Sequence, residues 1–380
     1  WWSTLNHVLF GPELMLIQQV LFYWFAFWLI GSRFLVTRSY LAWMVLAASW
    51  LPSNFVIVGE IWKDVQFATS TLLIVAVLIR HSAPKKTVPI SYLIFLGILS
   101  VYAIGVKPNG ITVIPILVIW LLSLNHPKWS SLEMFRKLGT TSLATLGLAL
   151  TAYGITSLGH PTPTHNFQYT ETADLLSLSR MEKQNLFPEY LKPVTSRISL
   201  DSVYSPESNN YLMFDTPGVF TKSSRNLKEL DASWIRAVTN HPLDYVVARS
   251  ERFVALLRIG YSQPALVTVP GIWPNNFGIV GYVNTWGLLD ASIQKVSPIF
   301  FYPWIPFAFS SALLLVAGVR KRVSSVPLYL WSLGTAFLVP HFFIVPSSDY
   351  RYLLSSIVFW SLSCVFVIHE IMRDPNTRTK

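Results

Sequence analysis

The chain has 380 residues, 52% of them hydrophobic and 13% charged, with a mean hydropathy of +0.45. An ordinary soluble domain carries about 25% charged residues, so this composition excludes a typical water-soluble enzyme and points to an integral membrane protein. The single cysteine, Cys364, excludes a disulfide framework and a cysteine-based zinc site, and the net charge of +10 has to be located along the chain before it is read as an affinity for nucleic acid.

A membrane-crossing helix needs about 20 mostly apolar residues. Segments near 12–31, 40–58, 65–80, 89–106, 111–124 and 138–157 meet this in residues 1–157, and segments near 297–318, 325–345 and 352–371 meet it in residues 297–380. The expected fold is therefore an all-α polytopic membrane protein with about nine transmembrane helices. Residues 158–296 hold no comparable apolar run and are expected outside the bilayer, as a large exoplasmic loop region of mixed helices and irregular structure.

Loop charge sets the orientation, because cytoplasmic loops collect Lys and Arg. Arg33/Arg38, Arg80/Lys85/Lys86, Lys128/Arg136/Lys137, Arg320/Lys321/Arg322 and Arg373/Arg378/Lys380 mark one side as cytoplasmic. The intervening loops "GEIWKDVQ", "GVKPNGI" and "PSSDYRY" carry only Lys63, Lys107 and Arg351, and face the exoplasm together with residues 158–296, where acidic and basic residues are equal in number. Topology thus accounts for the positive charge, and nucleic acid is not an expected partner. The same orientation places the amino terminus outside, and a start at Trp1 reads as an N-terminally truncated fragment of a longer chain.

Within the exoplasmic region, Leu175, Leu176, Leu178 and Met181 predict a helix over 172–187. Residues 226–260 predict two helices divided at His241-Pro242, since proline suits a first helical turn and breaks an interior. In the second of these, Leu243, Val246, Val247, Phe253, Leu256 and Leu257 form an apolar face, with Arg249, Arg252 and Arg258 off it. That pattern predicts a helix lying on the membrane surface or feeding into it. Residues 261–290, rich in Pro, Gly, Asn and aromatics, read as an ordered loop over the membrane.

Three short polar stretches converge on the exoplasmic side. Glu60, Lys63 and Asp64 either solvate a short loop while Lys63 reaches for the headgroups, or hold a phosphate headgroup and orient a sugar or acceptor. Lys63 and Asp64 are adjacent and would point about 100° apart on a helix, so each needs its own partner. Asp349 and Arg351 either anchor the last span beside the interfacial Tyr350 and Tyr352, or Arg351 grips a lipid phosphate with its two-pronged guanidinium. Lys107 and Asn109 occupy a Pro-Asn-Gly turn that needs no function of its own. His341 lies inside an apolar run, and a satisfied structural histidine is the preferred reading. No metal-ligand spacing, Gly-rich phosphate loop or nucleophile motif occurs, so no cofactor is expected, and a metal ion, while possible, is not indicated.

The stretches "IWKDVQFATSTLL", "VKPNGITVIPILVIW", "WIRAVTNHPLDYVVARSERF" and "SSDYRYLLSSIVFW", in this order, resemble the polytopic glycosyltransferases of the GT-C fold, bacterial members related to protein O-mannosyltransferases and lipid A aminoarabinose transferases. The resemblance implies a transferase of the bacterial plasma membrane that passes a sugar from a polyprenyl-phosphate donor to a glycan, lipid or protein acceptor, with its site facing the periplasm or exterior. It implies catalytic roles for Asp64 and Glu60, and donor or acceptor binding by Lys63, Lys107, Asn109, Asp349, Arg351 and Tyr352. The family's first-loop carboxylate would lie upstream of Trp1. A glycosyl phosphate stores its own activation, so no nucleotide-binding motif is required. The competing readings are a transporter or lipid flippase, which predicts charges at mid-membrane rather than at one boundary, and a non-catalytic membrane assembly protein.

Overall fold

The computed structural model describes residues 10–82, 87–126, 132–160, 163–265 and 297–372, with residues 5, 7, 8, 129, 267, 268, 278, 279 and 292–295. Lys85, Lys86, Lys128, Arg373, Arg378, Lys380 and most of the 261–290 stretch lie outside the described residues. The chain divides into two compact units. One comprises Trp1–Pro161, Val267–Leu338 and Arg351–Lys380, the other Thr162–Leu266 and Val339–Tyr350. Among the described residues every regular element is helical.

The longer helices in chain order are α1 (Glu13–Ser32), α2 (Ser39–Ser49), α3 (Lys63–His81), α4 (Ile90–Val106), α5 (Ile114–Asn125), α6 (Met134–Leu158), α7 (Gln168–Met181), α8 (Ser224–Asn240), α9 (Pro242–Leu257), α10 (Trp304–Val319), α11 (Ser325–Leu338) and α12 (Leu354–Met372). Among the described residues, six stretches are long and apolar enough to cross a membrane: 13–32, 63–81, 108–125, 134–158, 325–344 and 350–372. A seventh results if Ser39–Ser49 and Pro52–Gly59, bent by 59°, form one span, while α4 and α10 are shorter apolar helices. Each of the nine apolar segments is thus helical, but two are too short to count as spans and one is broken at Pro52. These helices fit a multi-pass membrane protein.

The first unit is organised around α3 and α12. From Asp64 to Ile79 every residue of α3 is buried, as is every residue of α12 from Leu354 to Val367. Helices buried on every face, as these two are, form the centre of a bundle. The hydroxyls of α3 are satisfied locally: Thr69, Ser70 and Thr71 donate to carbonyls one turn back at 3.0, 2.6 and 2.8 Å. Around this pair, α1 packs on α3, α10 and α11 pack on α12, and α4 packs between α3 and α6. Ser356 and Ser363 of α12 donate to the Gly334 and Pro327 carbonyls of α11 at 2.7 and 2.9 Å, the interhelical bonding expected where apolar burial gives little contrast with lipid. The outer helices show the complementary pattern. In α1, Met15, Gln19, Tyr23, Ala26 and Ile30 are buried while Ile17, Leu21, Phe25 and Trp28 form an exposed stripe. In α6 only Thr141 and Ala152 are buried, and Leu143, Leu150 and Leu158 are exposed. Apolar surface of this extent is costly in water and costless in lipid.

The second unit is built on α7, buried from Thr170 to Ser179. Its apolar core joins Leu175, Leu176 and Leu178 of α7 to Phe187, Leu191, Leu212, Met213, Val219 and Leu230. The division at His241-Pro242 is as expected, with Pro242 in the first turn of α9. Of the apolar residues of α9, Leu243, Val246 and Val247 are exposed and Leu256 and Leu257 are buried, while Arg249, Arg252 and Arg258 are buried at 0, 1 and 3% exposure.

Candidate functional site

The start of α3 carries three of the singled-out residues. Trp62 is extended (φ −119°, ψ 147°) and delivers the chain into the helix, with Asp64 in the first turn, where the partial positive charge of a helix N-terminus favours a carboxylate. Lys63 is exposed and Asp64 is buried. Lys107 follows α4 and begins the 3-10 turn Pro108–Val113. That turn approaches α3 so closely that a Cβ on Gly110 would run into the Phe67 ring. The result is a buried ion pair between the Lys107 ammonium and the Asp64 carboxylate, both side chains under 5% exposed. Asp64 therefore does not pair with its neighbour Lys63, and its partner comes from the end of another helix, α4.

Arg351 and Tyr352 lie in the 3-10 turn Tyr350–Leu353 that leads into α12. The Arg351 guanidinium carbon is 4.6 Å from the Trp62 ring centroid and 5.3 Å from that of Tyr352. The Lys107 Nζ is 5.2 Å from the Phe337 centroid and 5.4 Å from that of Tyr352. Rings at this distance attract a cation without neutralising it. Phe337 in turn stacks on Phe67 at 4.9 Å. Lys63, Lys107 and Arg351 lie close enough to repel one another. One of the three, Lys107, is matched by Asp64.

A glutamine network lies beneath. Gln66, just past Asp64 in α3, accepts from Gln18 Nε2 and Tyr102 hydroxyl at 3.0 Å each and donates to Gln19 Oε1 at 2.6 Å and the Met15 carbonyl at 3.0 Å. Gln19 donates to the carbonyls of Val58 at 2.6 Å and Glu60 at 2.8 Å. The network ties α1, α3, α4 and the Glu60 turn into one polar floor. Sequence reasoning passed over Gln18, Gln19, Gln66 and Tyr102, although amides inside apolar runs are the signal that marks them.

The structure brings together Lys63, Asp64, Lys107, Arg351 and Tyr352. Asn109 is half-buried in the Pro108–Val113 turn, and its carbonyl accepts from Thr112 at 3.4 Å. Asp349 belongs to the second unit. Glu60 follows the 3-10 turn Val56–Gly59 and is half-exposed. Asp64 is buried and bonded to Lys107, while Glu60 is partly exposed.

No family model, curated protein or solved structure matches the chain. The functional reading therefore rests on the site.

The second unit has a polar core of its own. Arg249 bonds the Asp174 carboxylate at 2.5 Å and the Val345 carbonyl at 2.9 Å, and Trp234 Nε1 donates to the same carboxylate oxygen at 2.8 Å. Arg252 donates to the Ala173 carbonyl, the Ser177 hydroxyl and the Pro346 carbonyl at 2.9, 3.1 and 3.2 Å. This bonding explains why the arginine face of α9 is the inward one: carboxylate and carbonyl acceptors compensate the desolvation of each guanidinium. One helical turn earlier, burial and the neighbouring Asp231 carboxylate push the Glu171 carboxyl up to about 8. Glu182, His241 and Asp244 place their ligand atoms within 4.8 Å of one another. A His241 Nδ1 contact to Glu182 at 2.8 Å accounts for their approach without an ion.

Proposed function

We propose that this protein is a polytopic glycosyltransferase of the GT-C kind. It takes a sugar from a polyprenyl-phosphate donor and passes it to a glycan, lipid or protein acceptor on the exoplasmic face of the membrane. The observation that carries the reading is the convergence of Lys63, Lys107 and Arg351, from three separate stretches of chain, at one boundary of a bundle of apolar helices. A site of this kind suits an anion attached to an apolar chain, because partly dehydrated cations bind phosphate strongly while the surrounding helices accept the polyprenyl tail.

The chemistry needs an activated leaving group and a base. The acceptor hydroxyl oxygen attacks the anomeric carbon as the bond from that carbon to the phosphate oxygen breaks, and the polyprenyl phosphate departs with the electron pair. Lys63 and Arg351 meet the charge that grows on that oxygen. Glu60 receives the acceptor proton. Asp64 fixes Lys107 beside the leaving group, and Tyr352 and Trp62 hold Arg351 in place through their ring faces. On this reading the bent Ser39–Gly59 pair and the shorter α4 and α10 also cross or enter the bilayer, which gives nine membrane segments and leaves residues 158–296 outside the bilayer.

Transfer from a radiolabelled polyprenyl-phosphate sugar, measured in membranes containing the protein, tests this directly. The reading predicts that Arg351→Ala and Glu60→Gln each abolish most of the transferred label. Unchanged transfer in both variants would remove the site assignment, and no transfer from any donor would favour a transporter or an assembly protein instead.

A further inference from the structure

The first unit holds a second basic site at the other end of its central helix. The 19 residues of α3 rise about 28 Å from Lys63 to His81, close to the roughly 30 Å thickness of a bilayer core. At the His81 end, the end of α1, the start of α2, the residues before α11 and the end of α12 enclose a cavity of about 460 Å³. Arg33, Arg38 and Arg322 face it from three segments, and Leu41, Ile79 and Phe366 supply apolar wall.

Arg33 and Arg38 are placed by neutral groups. Arg38 donates to His369 Nε2 at 2.8 Å, which makes Nδ1 the protonated ring nitrogen and the Tyr40 hydroxyl its partner. Arg33 lies over the Phe34 ring at 5.2 Å. Arg322 donates to the Ile371 carbonyl at 2.7 Å. Among the described residues no carboxylate pairs with Arg33 or Arg38, and Arg33 lies within repulsive range of Arg38 and Arg80. Glu370, the one carboxylate lining the cavity among the described residues, accepts from the Ser324 backbone N–H at 2.8 Å and from its hydroxyl.

A cytoplasmic bias in Lys and Arg explains basic residues in loops on this side, but it does not gather them into a walled cavity. Arg136 shows the contrast: it is exposed and lies 3.9 Å from Glu133. We propose that the cavity binds the phosphate of an anionic phospholipid, with the arginines on the headgroup and the apolar wall against the start of its acyl chains. Guanidinium geometry suits a phosphodiester, and basic pockets between membrane helices are suited to such headgroups. The apolar wall favours a lipid over free phosphate. The proposal uses the membrane reading of the helices and is independent of the transfer reaction.

The test titrates the purified full chain in neutral detergent with dioleoyl phosphatidylglycerol, dioleoyl phosphatidylcholine or inorganic phosphate, reading bound lipid by native mass spectrometry and the shift in unfolding temperature. Phosphatidylglycerol should bind about tenfold or more tightly than phosphatidylcholine and raise the unfolding temperature, with no rise from phosphate at the same concentration. Arg33→Gln, which removes only a ring contact, should lose most of that preference; Arg38→Lys should keep part of it, and Arg136→Gln all of it. Equal binding of the two lipids, or an undiminished preference in Arg33→Gln, would overturn the proposal. A rise with inorganic phosphate equal to that with phosphatidylglycerol would overturn its lipid part.

Discussion

Asp64 and Lys107 show how a single contact redistributes roles. Both were legible as polar residues near one membrane boundary, but their partnership crosses 43 positions and no local pattern could reveal it. Removing one partner leaves the other charged and buried, which costs about 3–5 kcal/mol. Asp64→Asn and Lys107→Met should each lower the unfolding temperature in detergent markedly, and the double variant should be less unstable than the sum of the two. Simple additivity would show that the pair does not act as a unit. Glu171 gives a pH test in the other unit. Its carboxyl loses its proton near 4.5 when unfolded and at about 8 when folded, where it donates to Asp231. The stability it contributes is therefore fully present below about 4.5 and lost as the pH rises through about 8. Glu171→Gln retains a donor and removes the titration, so its unfolding temperature should fall less than that of the wild type across this window. Parallel pH curves for the two proteins would contradict the assignment.

At the scale of elements, apolar runs announced their own helices, because length and hydropathy are local properties. Their capacity to span was less legible: Pro52 breaks the second segment, and α4 and α10 stop short. In helix α9 the burial of Arg249 and Arg252 was not legible, since hydropathy places arginine outside unless acceptors wait within. Asp174 and the carbonyls of Ala173, Val345 and Pro346 are those acceptors, and they lie far from α9 in sequence. Arg249→Ala should destabilise the protein by about 3–5 kcal/mol by leaving Asp174 buried without its cation, more than Leu243→Ala on the exposed face. Packing between elements is tightest at two glycines. A side chain at Gly110 would strike Phe67, and one at Gly334 would lie 2.6 Å from Trp360 Nε1 and 3.0 Å from the Ser356 carbonyl. Gly110→Ala and Gly334→Ala should each cost about 1–3 kcal/mol by thermal unfolding, as overpacking does.

For the whole molecule, the distribution of charge predicts an orientation that labelling can test. Cys364 is buried, so a new surface cysteine is a clean probe. Glu189→Cys in the second unit should react with a membrane-impermeant maleimide in intact cells, and Arg320→Cys only after permeabilisation. Labelling of both under the same condition would reverse the topology. Lys63, Lys107 and Arg351 were each visible as isolated cations on one side, but their assembly required α3, α4 and α12 to be packed, and the glutamine floor beneath them gave only a weak sequence signal. The central claim is that this assembly holds the phosphate of a polyprenyl-linked donor. Titration of the purified protein with polyprenyl phosphate and with the matching uncharged polyprenol tests it most directly. The account predicts that the wild type binds the phosphate form at least about tenfold more tightly and that Arg351→Ala loses most of this difference. Equal affinity for the two lipids, or a preference unchanged in Arg351→Ala, would contradict it.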